Sequence, residues 1–196
     1  MTDESLGEPV DRLAAVNEIM MEMSGEECVD HTYNTFLQDL TNTNWTAGGI
    51  GWRQWTWQTC TEFGWYQTTN QESSVYGGSL PLDFFERWCQ DAYGEDFTHE
   101  MLANNMVNTN IEYGGFRPSV SNVVFVHGSI DPWHAMGVLE DLNEDAPSIY
   151  IPGTSHCADM YPDKPEDPEE LTAARVKIGE LVNSWICQKI SSVCRP

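Results

Sequence analysis

Asp131 and His156 are the two residues of the sequence whose types and surroundings suit proton-transfer chemistry. Asp131 lies in the turn Gly128-Ser-Ile-Asp-Pro132, just after the β-branched run Asn122-Val-Val-Phe-Val126. His156 comes 25 residues later, after a second short apolar run, Ser148-Ile-Tyr-Ile151. A histidine can move a proton near neutral pH, and a carboxylate can fix its tautomer and steady the imidazolium.

Both apolar runs are typical of buried parallel strands, and each candidate residue follows the carboxyl end of one of them. In an open α/β sheet, ligands bind along that edge. An acid after one late strand and a histidine after the last strand form the second half of the order Ser…Asp…His, which belongs to α/β-hydrolases. Taken singly, Asp131 could be an ordinary turn residue and His156 a structural histidine. The pair in this order favours catalysis.

The elements around the pair predict the end of an α/β sheet. A short helical stretch from His134 to Asp141 separates the strands, and a long helix follows the second one. For the long helix, the sequence predicts Asp167 as the N-cap, Pro168 at N1 and Glu170 as the partner in a capping box. Its apolar stripe consists of Leu171, Ala174, Ile178, Leu181, Val182 and Trp185.

The part of the chain before Pro118 has a different character. Residues 10–25 are weakly helical, and a second helix starts near Pro81 and stops at Gly94. Residues 44–70 are rich in Trp, Gly, Thr and Gln without a steady period, which predicts a loop or lid with aromatic anchors. Residues 104–116 are rich in Asn and Gly and are interpreted as a linker.

The amino-acid composition narrows the range of possible binding partners. The chain has 196 residues with 9 basic and 31 acidic side chains, and the net charge of −22 argues against nucleic acid or an anionic membrane surface. The longest aliphatic-aromatic run, residues 123–126, is too short to span a membrane. There is no CxxC pair and no HExxH motif, so neither a metal site nor a cofactor is predicted.

Cysteine content and the N-terminus point to different compartments. Six cysteines and the sequon Asn44-Trp-Thr46 favour an extracytosolic protein. Residues 1–9, however, lack the basic and apolar regions of a signal peptide. We therefore expect that Met1 is not the natural start and that the chain is the C-terminal piece of a longer secretory protein.

Four sequence blocks resemble one serine peptidase family, which holds lysosomal Pro-X carboxypeptidase, dipeptidyl peptidase type II and thymus-specific serine protease. The resemblance runs from about Val10 to Ile186 and is nearest to the thymus-specific branch; one departure is His127, where the family has Asn. The blocks are Asn122-Val-Val-Phe-Val-His-Gly-Ser-Ile-Asp-Pro-Trp133, Gly153-Thr-Ser-His-Cys-Ala-Asp-Met-Tyr161, Gly51-Trp-Arg-Gln-Trp-Thr-Trp-Gln-Thr-Cys-Thr-Glu-Phe-Gly-Trp65 and Pro81-Leu-Asp-Phe-Phe-Glu-Arg-Trp-Cys89.

The resemblance implies roles for individual residues. Asp131 and His156 would be the acid and base of a Ser-Asp-His triad, and Trp133 would contact the substrate residue beside the scissile bond, where a flat indole suits a proline ring. Gln58 and Glu62 would reach toward the cleft, where a carboxylate could hold a free amino end of a peptide. For Glu62 a solvated loop charge is an equal alternative. Trp52, Trp55 and Trp57 are expected to pack the cap rather than to touch substrate.

The family pattern also implies an architecture and a setting. Residues 1–115 would be the remnant of a helical cap domain, and residues 116–196 the C-terminal part of an α/β-hydrolase domain. The complete enzyme would be a secreted or lysosomal exopeptidase acting on peptides, either as a dipeptidyl peptidase or as a Pro-X carboxypeptidase, and could form a homodimer. The acidic composition suits an acidic lumen but is equally explained by solubility.

The family nucleophile sits in a Gly-x-Ser-x-Gly elbow, and this sequence contains no such motif. The nearest candidate, Ser79 in Gly77-Gly-Ser-Leu-Pro81, is better explained as a helix N-cap. The isolated chain is therefore expected to be inactive. An alternative is a secreted relative that has kept the fold, lost the nucleophile and acts as a binding or regulatory protein. A lipase or esterase would need a more aliphatic cleft.

The resemblance also suggests how the cysteines pair. Cys60 and Cys89 lie in matching blocks and would form a disulfide that ties the Trp-rich segment to the helix after Pro81. Cys187 and Cys194 could pair near the C-terminus, which leaves Cys28 without a partner and Cys157 as a buried thiol. The alternative is that all six are reduced, as in a cytosolic protein.

Overall fold

The protein is described by a computed structural model that covers residues 2–44, 51–72 and 78–190. The helices are α1 (Pro9–Ser24), α2 (Tyr33–Thr41), α3 (Trp52–Gln58), α4 (Leu82–Tyr93), α5 (His99–Tyr113) and α6 (Glu169–Lys189), and the strands are β1 (Phe125–Gly128) and β2 (Ser148–Ile151). There are 3₁₀ turns at Glu4–Leu6, Pro132–Met136 and Ala158–Met160, and a π-helical turn at Thr59–Phe63. We call residues 33–113 the helical region and residues 123–189 the sheet region. Among the described helices, none is both long enough and apolar enough to cross a bilayer.

The two strands pair in parallel, as the β-branched runs predict, and their register places Gly128 opposite Ile151. β2 has its predicted bounds, whereas β1 begins at Phe125 rather than at residue 122. Helices combined with a parallel sheet are compatible with the predicted α/β class. A small core forms where α6 crosses the sheet: Ile151, Leu171 and Ala174 are buried together.

α6 carries the predicted stripe but starts differently from the prediction. Pro168, not Asp167, is the N-cap residue, and no side chain caps the helix. The Asp167 carboxylate instead accepts hydrogen bonds from Arg175, at 2.6 Å, and from the backbone N–H of Lys164, at 2.9 Å. The carboxylate is therefore held by a cation outside the first turn. Along the stripe Val182 is 40% exposed, so the buried part is confined to the first turns.

Two segments expected to lack regular structure are helical. The segment 44–70 contains α3 and the π-helical turn, and the supposed linker 104–116 lies mostly within α5. End caps explain α5: the Thr98 side chain accepts a hydrogen bond from the N–H of Met101, and Gly114 ends the helix with φ 88°. Conversely, the helical stretch expected over 134–141 is a 3₁₀ turn that ends at Met136.

The helix after Pro81 also starts later than the Ser79 cap requires. It begins at Leu82 with Pro81 as the N-cap residue, so the expected cap role of Ser79 is wrong. The helix does stop at Gly94, as predicted. Gly77, the first residue of the motif around Ser79, lies outside the described residues, as do Trp45 and Thr46 of the sequon.

The predicted Cys60–Cys89 disulfide is present, with the two Cα atoms 5.8 Å apart. It joins the π-helical turn to α4, and the hydroxyl of Tyr66 lies 3.3 Å from the Cys89 sulfur. The ring of Tyr66 stacks on Phe85 at 4.7 Å between centroids. Cys28 and Cys157 carry free thiols. The expected Cys187–Cys194 bridge involves Cys194, which is not among the described residues.

Candidate active site

The carboxylate of Asp131 is fixed at the carboxyl end of β1 by two hydrogen bonds. One oxygen accepts from the backbone N–H of Trp133, at 2.9 Å. The other accepts from Nδ1 of His156, at 2.7 Å. The first bond makes Asp131 the side-chain cap of the 3₁₀ turn Pro132–Met136, so the following turn itself orients the carboxylate. The structure thus brings the two candidate residues together, although 25 residues separate them.

The two turns that carry the pair are joined by two hydrogen bonds. Ile130 donates its N–H to the carbonyl of Thr154, at 3.0 Å, and Gly153 donates its N–H to the Ser129 hydroxyl, at 2.7 Å. This approach depends on Gly128, because a Cβ there would lie 2.4 Å from the carbonyl oxygen of Thr154. Such a distance is far inside van der Waals contact, so any larger residue would push the turns apart.

Burial differs sharply between the two members of the pair. The Asp131 side chain is 9% exposed, whereas the His156 side chain is 57% exposed. Burial by itself would raise the pKa of Asp131, but the hydrogen bonds from His156 and from the N–H of Trp133 outweigh it and hold this pKa below its ordinary 3.8. Asp131 is therefore an ionised acceptor held by two hydrogen bonds, and more than half of the His156 side chain is open to solvent.

A cavity of about 210 Å³ lies beside the pair, and its wall includes Trp65, His127, Trp133 and Met136. His127 comes from β1, and its Nε2 atom is buried without a hydrogen-bond partner among the described residues. Burial lowers the pKa of His127, which favours a neutral ring next to the Asp131 carboxylate. An uncharged ring there does not compete with His156 for the carboxylate.

A second, more apolar cavity of about 250 Å³ shares Trp65 and Trp133 with the first. The indole of Trp133 stacks on Trp55 at 5.3 Å with an interplanar angle of 19°, and meets the His156 ring edge-on at 5.0 Å. Trp133 therefore links the acid–base pair to an aromatic pocket. Trp52 and Trp88 also line this pocket, whereas Trp57 packs against Tyr93 and Phe97.

The other residues proposed from the sequence lie elsewhere. Gln58 and Glu62 are exposed on α3 and the π-helical turn, and Ser79 is exposed ahead of α4. None of the three lines either cavity described above. Of the residues proposed to bind substrate, Trp133 alone is gathered with Asp131 and His156 at a cavity wall.

Trp65 is a wall residue for which the sequence analysis proposed no role. It follows the π-helical turn and Gly64, and it has φ 65°, a conformation that a bulky side chain seldom adopts. Residues held in such conformations cluster at ligand sites. The Glu-Phe-Gly sequence before Trp65 signalled a helix end, but nothing in it indicated that the indole turns toward the site.

Among the described residues, no group of three or more His, Cys, Asp or Glu side chains could hold a metal ion. Cys157 lies beside His156 with φ 55°, and burial raises the pKa of its thiol. A raised pKa favours the thiol over the thiolate, so the arrangement gives no support for Cys157 as a nucleophile.

Comparison with known proteins identifies relatives over most of the chain. A family model described as serine carboxypeptidase S28 matches residues 1–178. The thymus-specific serine protease of Mus musculus is 34% identical over 169 residues, which is 86% of this chain and 33% of the relative. The human protein of the same name is 31% identical over 169 residues, which is 86% of this chain and 32% of the relative. A protein of Arthroderma benhamiae named "Probable extracellular serine carboxypeptidase" is 28% identical over 180 residues, which is 83% of this chain and 23% of the relative. The chain thus spans about one third of the thymus-specific relatives.

Proposed function

The chain belongs to the serine carboxypeptidase S28 family, and from this premise we propose that it carries the acid–base pair of a serine peptidase. The observation that carries the proposal is the 2.7 Å contact between Nδ1 of His156 and the buried carboxylate of Asp131. Both residues follow parallel strands, as the acid and the histidine do in an α/β-hydrolase. We propose that fold for the sheet region, and a helical cap for residues 1–115.

In this proposal each residue has one task. The Nδ1–H of His156 donates to Asp131, which leaves Nε2 without a proton and able to take one from a serine hydroxyl. Asp131 keeps the ring in this tautomer and stabilises the imidazolium that forms. His156 then gives the proton to the leaving amine. The sequence contains no Gly-x-Ser-x-Gly motif, and we assign the nucleophile to none of its serines.

The aromatic pocket suits a peptide substrate with a flat, apolar residue at the cut. Trp133 stands between His156 and this pocket, so a proline ring placed on its indole would bring the next carbonyl toward the histidine. We therefore propose an exopeptidase of dipeptidyl-peptidase or Pro-X carboxypeptidase type. Contacts of Gln58 and Glu62 with substrate remain a prediction from the resemblance. So do a homodimer of the complete enzyme and a secreted or lysosomal location, which the name of the Arthroderma relative favours.

A non-catalytic relative is the second candidate, because the elbow motif is missing from the sequence. Its pocket would bind peptides without cutting them. The two candidates differ in a single observable, which is turnover by the longest natural product that contains residues 1–196.

The test assays that product on prolyl and alanyl dipeptide fluorogenic substrates at acid pH. Asp131→Asn should lower kcat by about 10⁴-fold, because the histidine loses its oriented tautomer. His156→Ala should have an effect of the same order, while the exposed controls Asp145→Asn and His31→Ala should change little. Activity that survives in both site variants contradicts the assignment. A product that binds peptides but never turns them over supports the non-catalytic candidate.

The 196-residue chain is assayed in parallel with the longest natural product. We expect no turnover from this chain, since loss of a triad serine costs about 10⁶-fold in rate. Turnover that is sensitive to serine-directed inhibitors and disappears in Ser79→Ala would show that Ser79 is the nucleophile and overturn this expectation.

A further inference from the structure

Arg175 lies on α6 directly behind the turn that carries His156. The first turns of α6 are fixed to the sheet because Leu171 and Ala174 are buried against Ile151, the last residue of β2. This packing sets the position of the next residue, Arg175, whose side chain is 13% exposed. The arginine is therefore anchored by the same core that holds the end of β2.

The guanidinium of Arg175 binds both the start and the end of the segment that connects His156 to α6. Nη2 donates to the carbonyl of Ala158, at 2.9 Å, and Nε donates to the carbonyl of Asp159, at 3.2 Å. Nη1 donates to Asp163, at 2.9 Å, and to Asp167, at 2.6 Å. All three guanidinium nitrogens are used, and the two carbonyl acceptors lie two and three residues beyond His156.

His156 needs such external support. Its side chain is 57% exposed, so packing covers less than half of it. The next residue, Cys157, has φ 55°, a conformation that costs a non-glycine residue free energy and persists only where the surroundings impose it. The bonds from Arg175 begin at the residue after Cys157. They are thus placed to keep the chain in the conformation that directs His156 at Asp131.

We propose that Arg175 is a positioning residue that clamps the His156 turn onto α6 and thereby holds the Asp131–His156 hydrogen bond. The catalytic consequence rests on the function proposed above, whereas the structural consequence does not. The planar guanidinium donates in several fixed directions at once, which a lysine ammonium cannot reproduce at the same sites. The hydrogen bond from Arg175 lowers the pKa of Asp167 below its ordinary 3.8, which favours the ionised carboxylate beside the guanidinium.

The first experiment measures the hydrogen bond itself in the 196-residue chain. Proton NMR follows the downfield Nδ1–H resonance of His156 in wild type, Arg175→Gln, Arg175→Lys and the control Lys177→Gln. Lys177 is an exposed cation two residues further along the same helix. We expect the resonance in wild type and Lys177→Gln, its loss in Arg175→Gln, and a weakened signal in Arg175→Lys. Circular dichroism at the same temperature shows whether each variant keeps its helices.

The second experiment measures kcat and KM separately in the longest natural product containing the chain. Arg175→Gln should lower kcat by up to about 10²-fold, the cost of displacing a catalytic group by roughly 1 Å. KM should change little, because the pocket is built from other residues. Asp163→Asn should resemble wild type, since Asp163 is 82% exposed and the carbonyl contacts remain.

The outcomes separate the two proposals. A folded Arg175→Gln variant with the wild-type resonance and wild-type kcat overturns the clamp. If Arg175→Lys has the same resonance and kcat as wild type, only the charge of residue 175 matters, and the clamp is overturned as well. If Arg175→Gln lacks helical signal, Arg175→Lys is judged by the same two criteria. A wild-type product without turnover contradicts the proposed function, while the NMR experiment still decides the clamp.

Discussion

The helical region and the sheet region are held together by different kinds of interaction. The helical region is rich in aromatic contacts and contains a covalent link: Phe36 stacks on Trp88 at 5.3 Å, Tyr66 stacks on Phe85, and a disulfide joins the π-helical turn to α4. In the sheet region they are directional hydrogen bonds and close backbone approaches around Asp131 and His156. Only a small apolar core lies beneath them.

This contrast matches the tasks that we propose for the two regions. Aromatic packing can supply a broad apolar wall, and a disulfide stabilises that wall mainly by constraining the unfolded chain. A proton relay requires atoms held within fractions of an ångström, which hydrogen bonds and a steric limit such as that at Gly128 provide. We therefore expect substitutions in the helical region to lower the free energy of unfolding while leaving the Asp131–His156 geometry largely intact. Substitutions in the sheet region should disturb that geometry more than they lower the free energy of unfolding.

Removal of the disulfide should give the largest effect and test the first half of the contrast. In the chain-entropy model, Cys60→Ala with Cys89→Ala should lower the free energy of unfolding by about 3–4 kcal/mol, because the bridge closes a loop of about 30 residues. Denaturant titration of the chain measures this loss. The Nδ1–H resonance of His156 should persist under native conditions.

Cys28→Ala is the matched control, since Cys28 carries a free, exposed thiol. A similar loss of stability in this control, or loss of the His156 resonance in the folded double variant, would contradict the separation of tasks between the regions.

Gly128→Ala should give the next largest effect and test the second half. The new Cβ would lie 2.4 Å from the carbonyl oxygen of Thr154, and the turns carrying Asp131 and His156 must separate to admit it. We expect kcat of the longest natural product to fall by about 10²-fold, with a much smaller fractional change in unfolding free energy. Steady-state kinetics and denaturant titration on the same preparation measure the two quantities.

Gly179→Ala provides the control, because Gly179 lies within α6 and a Cβ there meets nothing within 4 Å. It should be neutral or stabilising by about 0.4–1 kcal/mol. If Gly128→Ala left kcat unchanged, the close approach of the two turns would have no catalytic importance.

The smallest expected effect is a pH dependence within the helical region. Nδ1 of His99, at the start of α5, donates to the Glu86 carboxylate on α4 at 2.5 Å, and this hydrogen bond raises the pKa of His99 above its ordinary 6.5. A raised pKa means that the pair stabilises the fold fully below that ordinary value and that the contribution is lost as pH rises through the raised pKa. The His99 side chain is 71% exposed, so the effect should be slight.

Thermal melts should therefore show a larger difference in Tm between wild type and Glu86→Gln at about pH 5 than at about pH 8. Glu112→Gln, an exposed acid on α5, serves as the control. A difference in Tm that grows with rising pH would refute the assigned sign. In either case the Asp131–His156 resonance should not respond to Glu86→Gln.

Local signals in the sequence were sufficient to predict an element where that element's own residue pattern decided its structure. The β-branched runs predicted a parallel pair, and the position of Asp131 and His156 after them predicted their proximity, because parallel strands end at a common edge. The resemblance added the Cys60–Cys89 bridge, which no spacing rule could have identified. α3 and α5 were missed since their helices rest on aromatic neighbours and end caps rather than on one regular apolar stripe. The Thr98 cap and Gly114 were readable signals for α5.

The sequence by itself determined which groups we propose for proton transfer, because residue types and their order along the chain indicate an acid and a base after two neighbouring strands. Only the tertiary structure decided which side chains surround that chemistry. Trp65 lines the site after a π-helical turn and with a positive φ, and Arg175 binds the segment after His156 from α6. Trp65 ends a block that resembles the family, but neither the block nor the sequence around Arg175 indicates these contacts. Contacts between elements depend on how whole helices pack, and that packing is a property of all of them together.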